Sequence, residues 1–90
     1  MKELIQRHYE ATCKRGLIGP YTTTHDFIEK LKEEFNEVMD EYDEETGVVD
    51  GDMAQECIDV VGVIFNMLIE KGFDIEDEFK FNVEYQESRI

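Results

Sequence analysis

The sequence predicts an all-α protein, a bundle-like arrangement of four helices. Three observations lead there. Apolar residues recur at spacings of three and four through most of the chain. Short links bearing glycine separate these periodic stretches. Ser/Thr/Asp-type capping residues stand at the head of the later ones.

Residues 2–14 carry Leu4, Ile5, His8, Tyr9 and Cys13 on one side, a short amphipathic helix that stops at Lys14-Arg15-Gly16. His8 reads as a partly buried structural histidine, with ligand contact as the alternative. Leu17–Thr24 is a connector broken by Gly19-Pro20. Thr22, Thr23 and Thr24 are N-cap candidates for the second helix, and Asp26 suits its first turn. That helix is expected from about Thr24 to Asp43. Phe27, Ile28, Leu31, Phe35, Val38, Met39 and Tyr42 fill one sector of it. Glu34, Glu37 and Glu41 line an edge of the sector with Lys30 beside them, while Glu33 points further round. Residues 46–51 form a loop. Asp52 is the expected cap of a third helix, with Gln55 completing a capping box and Glu56 in the first turn. From Val60 to Ile69 this helix is apolar except for Gly62 and Asn66, and Lys71-Gly72 ends it. Asp74, with Asp77 three residues on, caps a fourth helix running to about Glu87.

Ninety residues make one domain, residues 1–90, with no internal repeat. Nine basic and 23 acidic residues give a formal net charge of −14, which argues against binding nucleic acid or an anionic membrane. A hydrophobic content of 41% with regular spacing argues against disorder. Cys13 and Cys57 form no metal or redox motif, and Cys57 is expected as a small core residue. The N-terminus has no signal-peptide pattern, and the apolar run after Asp59 is too short to span a bilayer. A soluble, cytoplasmic protein is expected.

Chemistry concentrates in two acidic boxes. Glu33-Glu34-x-x-Glu37 lies on the second helix; eighteen residues later comes Glu56-x-x-Asp59, at the head of the apolar third helix. At 100° per residue Glu56 and Asp59 share a stripe with Val63 and Asn66. Taken singly, each acid has a plain alternative. Glu34 and Glu37 fit solvated acids, Glu56 a helix-end acid, and Asp59 half of a buried ion pair. Taken together, four or five converging carboxylates cannot all stay ionised unaided, and a divalent cation resolves the conflict.

The two boxes together resemble the signature of the all-α nucleoside triphosphate pyrophosphohydrolases, the superfamily of MazG, dimeric dUTPases and phosphoribosyl-ATP pyrophosphohydrolase. The segment Arg15-Gly16-Leu17-Ile18-Gly19-Pro20-Tyr21-Thr22-Thr23 also looks like small MazG-like proteins. The similarity covers about residues 15–72. It implies a MazG-like fold in which Glu34, Glu37, Glu56 and Asp59 ligate Mg²⁺, with Mn²⁺ as a substitute. Glu33 would hold a second ion or the attacking water. The implied reaction is hydrolysis between the α and β phosphates of a nucleoside triphosphate, giving the monophosphate and pyrophosphate in nucleotide-pool house-cleaning. Lys80, Asn82 and Arg89 are the candidates for gripping phosphates, and Asn66 for a base or sugar, with a polar tie to another helix as its alternative. The resemblance also implies a homodimer or homotetramer. Two other functions stay open: phosphoribosyl-ATP pyrophosphohydrolase activity, and a non-enzymatic acidic binding module, including a degenerate member of the superfamily kept for binding.

Overall fold

The computed structural model describes residues 1–90. It contains α1 (Lys2–Lys14), α2 (Thr24–Glu41), α3 (Gly51–Glu70) and α4 (Ile75–Ser88), and no strand. The all-α prediction therefore holds, with four helices close to their expected positions.

Local chemistry accounts for the boundaries. Thr23 caps α2 through a full capping box: its hydroxyl accepts from the Asp26 N–H at 3.0 Å, and the Asp26 carboxylate accepts from the Thr23 N–H at 3.0 Å. These bonds, the backbone one foremost, hold the Asp26 carboxyl below its usual range. Asp74 caps α4 as expected, accepting from Asp77 N–H. The start of α3 differs from expectation. Asp50, not Asp52, is the cap, accepting from Met53 N–H at 2.9 Å. Glu56 consequently lies in the second turn, away from the free N–H groups of the helix end. Gly72 adopts φ +89°, the left-handed conformation that turns the chain out of α3.

The organising element is α3. Its chief partner is α2, then α1, and α4 touches it least. The α2–α3 pair is an antiparallel hairpin: Lys71 Nζ donates to Thr22 O at 3.2 Å at one end, while Glu34 and Glu37 meet Glu56 and Asp59 near the other. Against α1, the missing side chain of Gly62 makes room for the His8 ring. A Cβ there would come within 2.7 Å of the ring. His8 Nδ1 then hydrogen-bonds Asn66 Oδ1 at 3.3 Å, and Asn66 Nδ2 donates to Thr12 Oγ1 at 3.4 Å. Tyr9 OH donates to Glu70 Oε2 at 2.6 Å. That bond, followed by contact with Cys13 and burial, pushes the Tyr9 hydroxyl up, so it remains a donor.

The core within one chain is thin. Phe27 is the one large hydrophobic side chain that is buried. The apolar sector of α2 divides: Leu31 and Val38 are half-buried, but Ile28, Phe35, Met39 and Tyr42 are exposed. On α3, Ile58 and Val61 are exposed, and so is Cys57, which is not the core residue expected from its neighbours. Along α4 only Ile75 is half-buried. Where α1, α3 and the root of α4 meet, Ile5, Phe65, Ile69, Phe73 and Phe79 line an apolar cleft of about 450 Å³. No helix is long and apolar enough to cross a membrane.

The Asn66 amide is the main polar tie between α1 and α3. Replacing Asn66→Ala should cost about 1–2 kcal/mol by removing two partly buried hydrogen bonds. Faster amide hydrogen exchange confined to α1, with a lower melting temperature, is the expected readout.

Candidate functional site

Two turns of α2 and two of α3 build the site. Glu34 and Glu37 are three residues apart on α2, as are Glu56 and Asp59 on α3, so each pair projects from one side of its helix. The hairpin sets the pairs opposite one another. One carboxylate oxygen from each of Glu34, Glu37, Glu56 and Asp59 lies within 4.8 Å of all the others. Oxygens on opposite sides of a magnesium ion stand about 4.2 Å apart, so the spacing suits a hard divalent cation with little adjustment.

Burial grades across the group. Glu34 is buried at 9% exposure, Glu37 and Glu56 are half-buried, and Asp59 is exposed. An exposed Asp59 does not fit the alternative of half a buried ion pair. Asp59 meets the α2 acids from the exposed rim of the α2–α3 contact, beside Ile58, whereas Glu34 lies within that contact. Glu33 is exposed and outside the group of four, turned outward as its position on the helical wheel predicts.

The electrostatics are strained. Glu34 Oε2 and Glu56 Oε2 are buried with no hydrogen-bond donor. Such orphaned acceptors are costly in a folded protein. Within the chain, relief comes from a shared proton. Hydrogen bonding to Glu56, then to Glu34, followed by the charge of Glu34, pushes the Glu37 carboxyl up to about 7. The only ion pair reaching the cluster is Lys30 Nζ to Glu34 Oε1, at 3.0 Å. A second acidic group, Glu41, Asp50 and Asp52, sits where the α2–α3 loop closes. All three are exposed, so water screens their repulsion, and Asp50 is engaged as the α3 cap.

The remaining predicted residues lie elsewhere. Asn66 is 4% exposed and engaged with α1, the polar tie rather than a free ligand. It is about 10 Å along α3 from Asp59. Lys80 and Asn82 are exposed on α4, and Arg89 is exposed just beyond its end. Arg89 donates to Tyr85 OH at 2.7 Å and lies over its ring. None of them joins the four acids in one chain. Lys30 is the residue that sequence reasoning placed beside the acids without giving it a role; its position four residues before Glu34 was the available signal.

No family model, curated protein or solved structure matches this chain.

Because Glu37 holds a proton more tightly folded than unfolded, the metal-free protein should lose stability as pH rises from about 4.5 toward 7. Glu37→Gln carries a permanent donor and should flatten that part of the profile. Melting temperatures of both proteins across pH 4–8 without divalent cations provide the check.

Proposed function

We propose that the protein is a Mg²⁺-dependent nucleoside triphosphate pyrophosphohydrolase of the MazG-like type. The observation that carries this reading is the pair of buried, donorless oxygens on Glu34 and Glu56, converging with Glu37 and Asp59 at metal-ligand spacing. A purely acidic recognition surface has no need of orphaned oxygens in a helix–helix contact, since acids meant for a basic partner belong in solvent.

In this reading Glu34, Glu37, Glu56 and Asp59 hold Mg²⁺, and Mn²⁺ can substitute because the donors are all carboxylate oxygen. When bound, the cation polarises the phosphoryl group and lowers the pKa of water. The chain's own contributions are distinct. Glu34 and Glu56 supply fixed, desolvated oxygens. Glu37 gives up its shared proton. Asp59, at the exposed side, faces the direction from which a substrate arrives. Glu33, on the outer flank of α2, is proposed to orient water or a second ion. Lys80, Asn82 and Arg89 are proposed to grip the phosphates.

We also infer a homo-oligomer. The accessible surface is 7063 Å², against about 5,500 Å² for a compact monomer of this mass. An excess of roughly 1,500 Å² per chain suits an obligate dimer interface, which buries about 2,000–5,000 Å² in total. The exposed Ile28, Phe35, Met39 and Tyr42 on α2, together with the exposed Ile58 and Val61 on α3, support the hairpin as the surface covered.

The test is pyrophosphate release from a panel of canonical and modified nucleoside triphosphates and phosphoribosyl-ATP, with Mg²⁺ and with EDTA. Metal-dependent release with the monophosphate as co-product is expected. Asp59→Ala should lower it at least about a hundredfold while leaving the metal-free melting temperature equal or higher, because it removes a ligand and a repelling charge together. Silence across the panel contradicts the enzymatic reading. In light-scattering chromatography at micromolar concentration, a multiple of 10.6 kDa is expected, and a monomer mass contradicts the oligomer.

A further inference from the structure

The two oxygens of Glu34 meet different surroundings. Oε1 accepts from Lys30 Nζ at 3.0 Å, while Oε2 is buried without a donor. The Glu34 side chain is 11% exposed, whereas that of Lys30 is 51% exposed and also lies 3.5 Å from Glu33 Oε1. The chain's other ion pairs, Lys2–Glu76, His25–Glu29 and Lys32–Glu29, stay clear of the cluster. A lysine four residues before a glutamate is also the weaker order for a helix-stabilising pair. Lys30 is therefore not accounted for as a surface staple of α2.

We propose that Lys30 is a built-in counter-ion that competes with the divalent cation for Glu34, and so sets the metal affinity of the site. The inference rests on the metal-site reading above. In the metal-free protein the ammonium offsets part of the charge of a carboxylate largely withdrawn from water. With a cation on Oε2, the ammonium on Oε1 stands about 5 Å from two like charges. Two effects then oppose each other. Holding Glu34 in a productive orientation favours metal by about twofold, the usual worth of an exposed pair at this spacing. Repulsion between the ammonium and the divalent ion disfavours metal by about tenfold even with the screening of bulk water. Repulsion wins, so the ammonium must loosen from Glu34 as the cation enters. Lys30 acts through Glu34 and is a positioning residue of opposite sign to an ordinary supporting group: it makes the site harder to fill.

The experiment is Mn²⁺ titration of the full chain, followed by calorimetry and by the electron paramagnetic resonance of free Mn²⁺, at low ionic strength. Lys30→Met should bind Mn²⁺ about fivefold more tightly than the unmodified protein, the tenfold repulsion relieved less the twofold orientation lost. The gain should shrink as salt is added, because half-exposed charges are screened. Lys30→Arg keeps the charge and should match the unmodified protein, as should Lys32→Met, which loses only the exposed contact with Glu29. Metal-free Lys30→Met should melt at a lower temperature and show a larger rise on adding Mn²⁺. Lys30→Gln, read by the same melting shift, serves where Lys30→Met folds poorly. Unchanged or weaker Mn²⁺ binding in Lys30→Met and an unchanged melting shift in Lys30→Gln overturn the role of Lys30 and leave the metal site standing. Failure of the unmodified protein to bind Mn²⁺ overturns both.

Discussion

Everything in this chain turns on carboxylates that are forced together. Glu34 and Glu37 on α2 meet Glu56 and Asp59 on α3 within 4.8 Å, and two of their oxygens are buried without a donor. Like charges at that distance oppose the very contact on which the hairpin depends. The antiparallel pairing holds because it is secured elsewhere: by the Lys71–Thr22 bond at one end, and by burial of Phe27. The acids are thus a local cost borne by a scaffold, the pattern expected where function rather than stability selects the residues.

Two internal devices moderate the cost, and each is incomplete. A proton shared through Glu37 relieves the repulsion, but its affinity, raised to about 7, leaves it only partly present at neutral pH. The Lys30 ammonium offsets one charge from the half-exposed flank of α2 and touches only Oε1 of Glu34. A divalent cation among the four oxygens would do what both do together. The thin core fits the same economy. A chain whose Ile28, Phe35, Met39, Tyr42, Ile58 and Val61 are exposed keeps little stability in reserve, and a second copy covering them would supply it.

Much of this was legible in the sequence. Period-3.6 spacing and caps located all four helices to within a few residues, because caps and glycine stops act locally. The three-residue spacing within each acidic box told which carboxylates share a side, and the structure sets both boxes facing one another. What escaped depended on tertiary context. Cys57 and Ile58 sit in an apolar run, yet that face of α3 has no neighbour in the chain, and Asp59 meets the α2 acids only at the exposed rim of the helix contact. Conversely, Glu34 looked like an edge residue and proved the most buried acid. Asp50 took the cap from Asp52, since both are adequate caps and sequence alone does not separate neighbours two residues apart. The close fit of His8 over Gly62 carried no sequence signal beyond a glycine inside a helix.

The most direct test of the account is to count protons released when Mg²⁺ binds, by calorimetry of the metal-free protein near pH 7 in two buffers of different ionisation enthalpy. Saturable binding accompanied by proton release, both lost in Glu34→Gln, is the predicted result, because the cation displaces the proton shared by Glu37. Absence of saturable binding at millimolar Mg²⁺, or binding indifferent to Glu34→Gln, would contradict the claim that these four acids are held together for a metal.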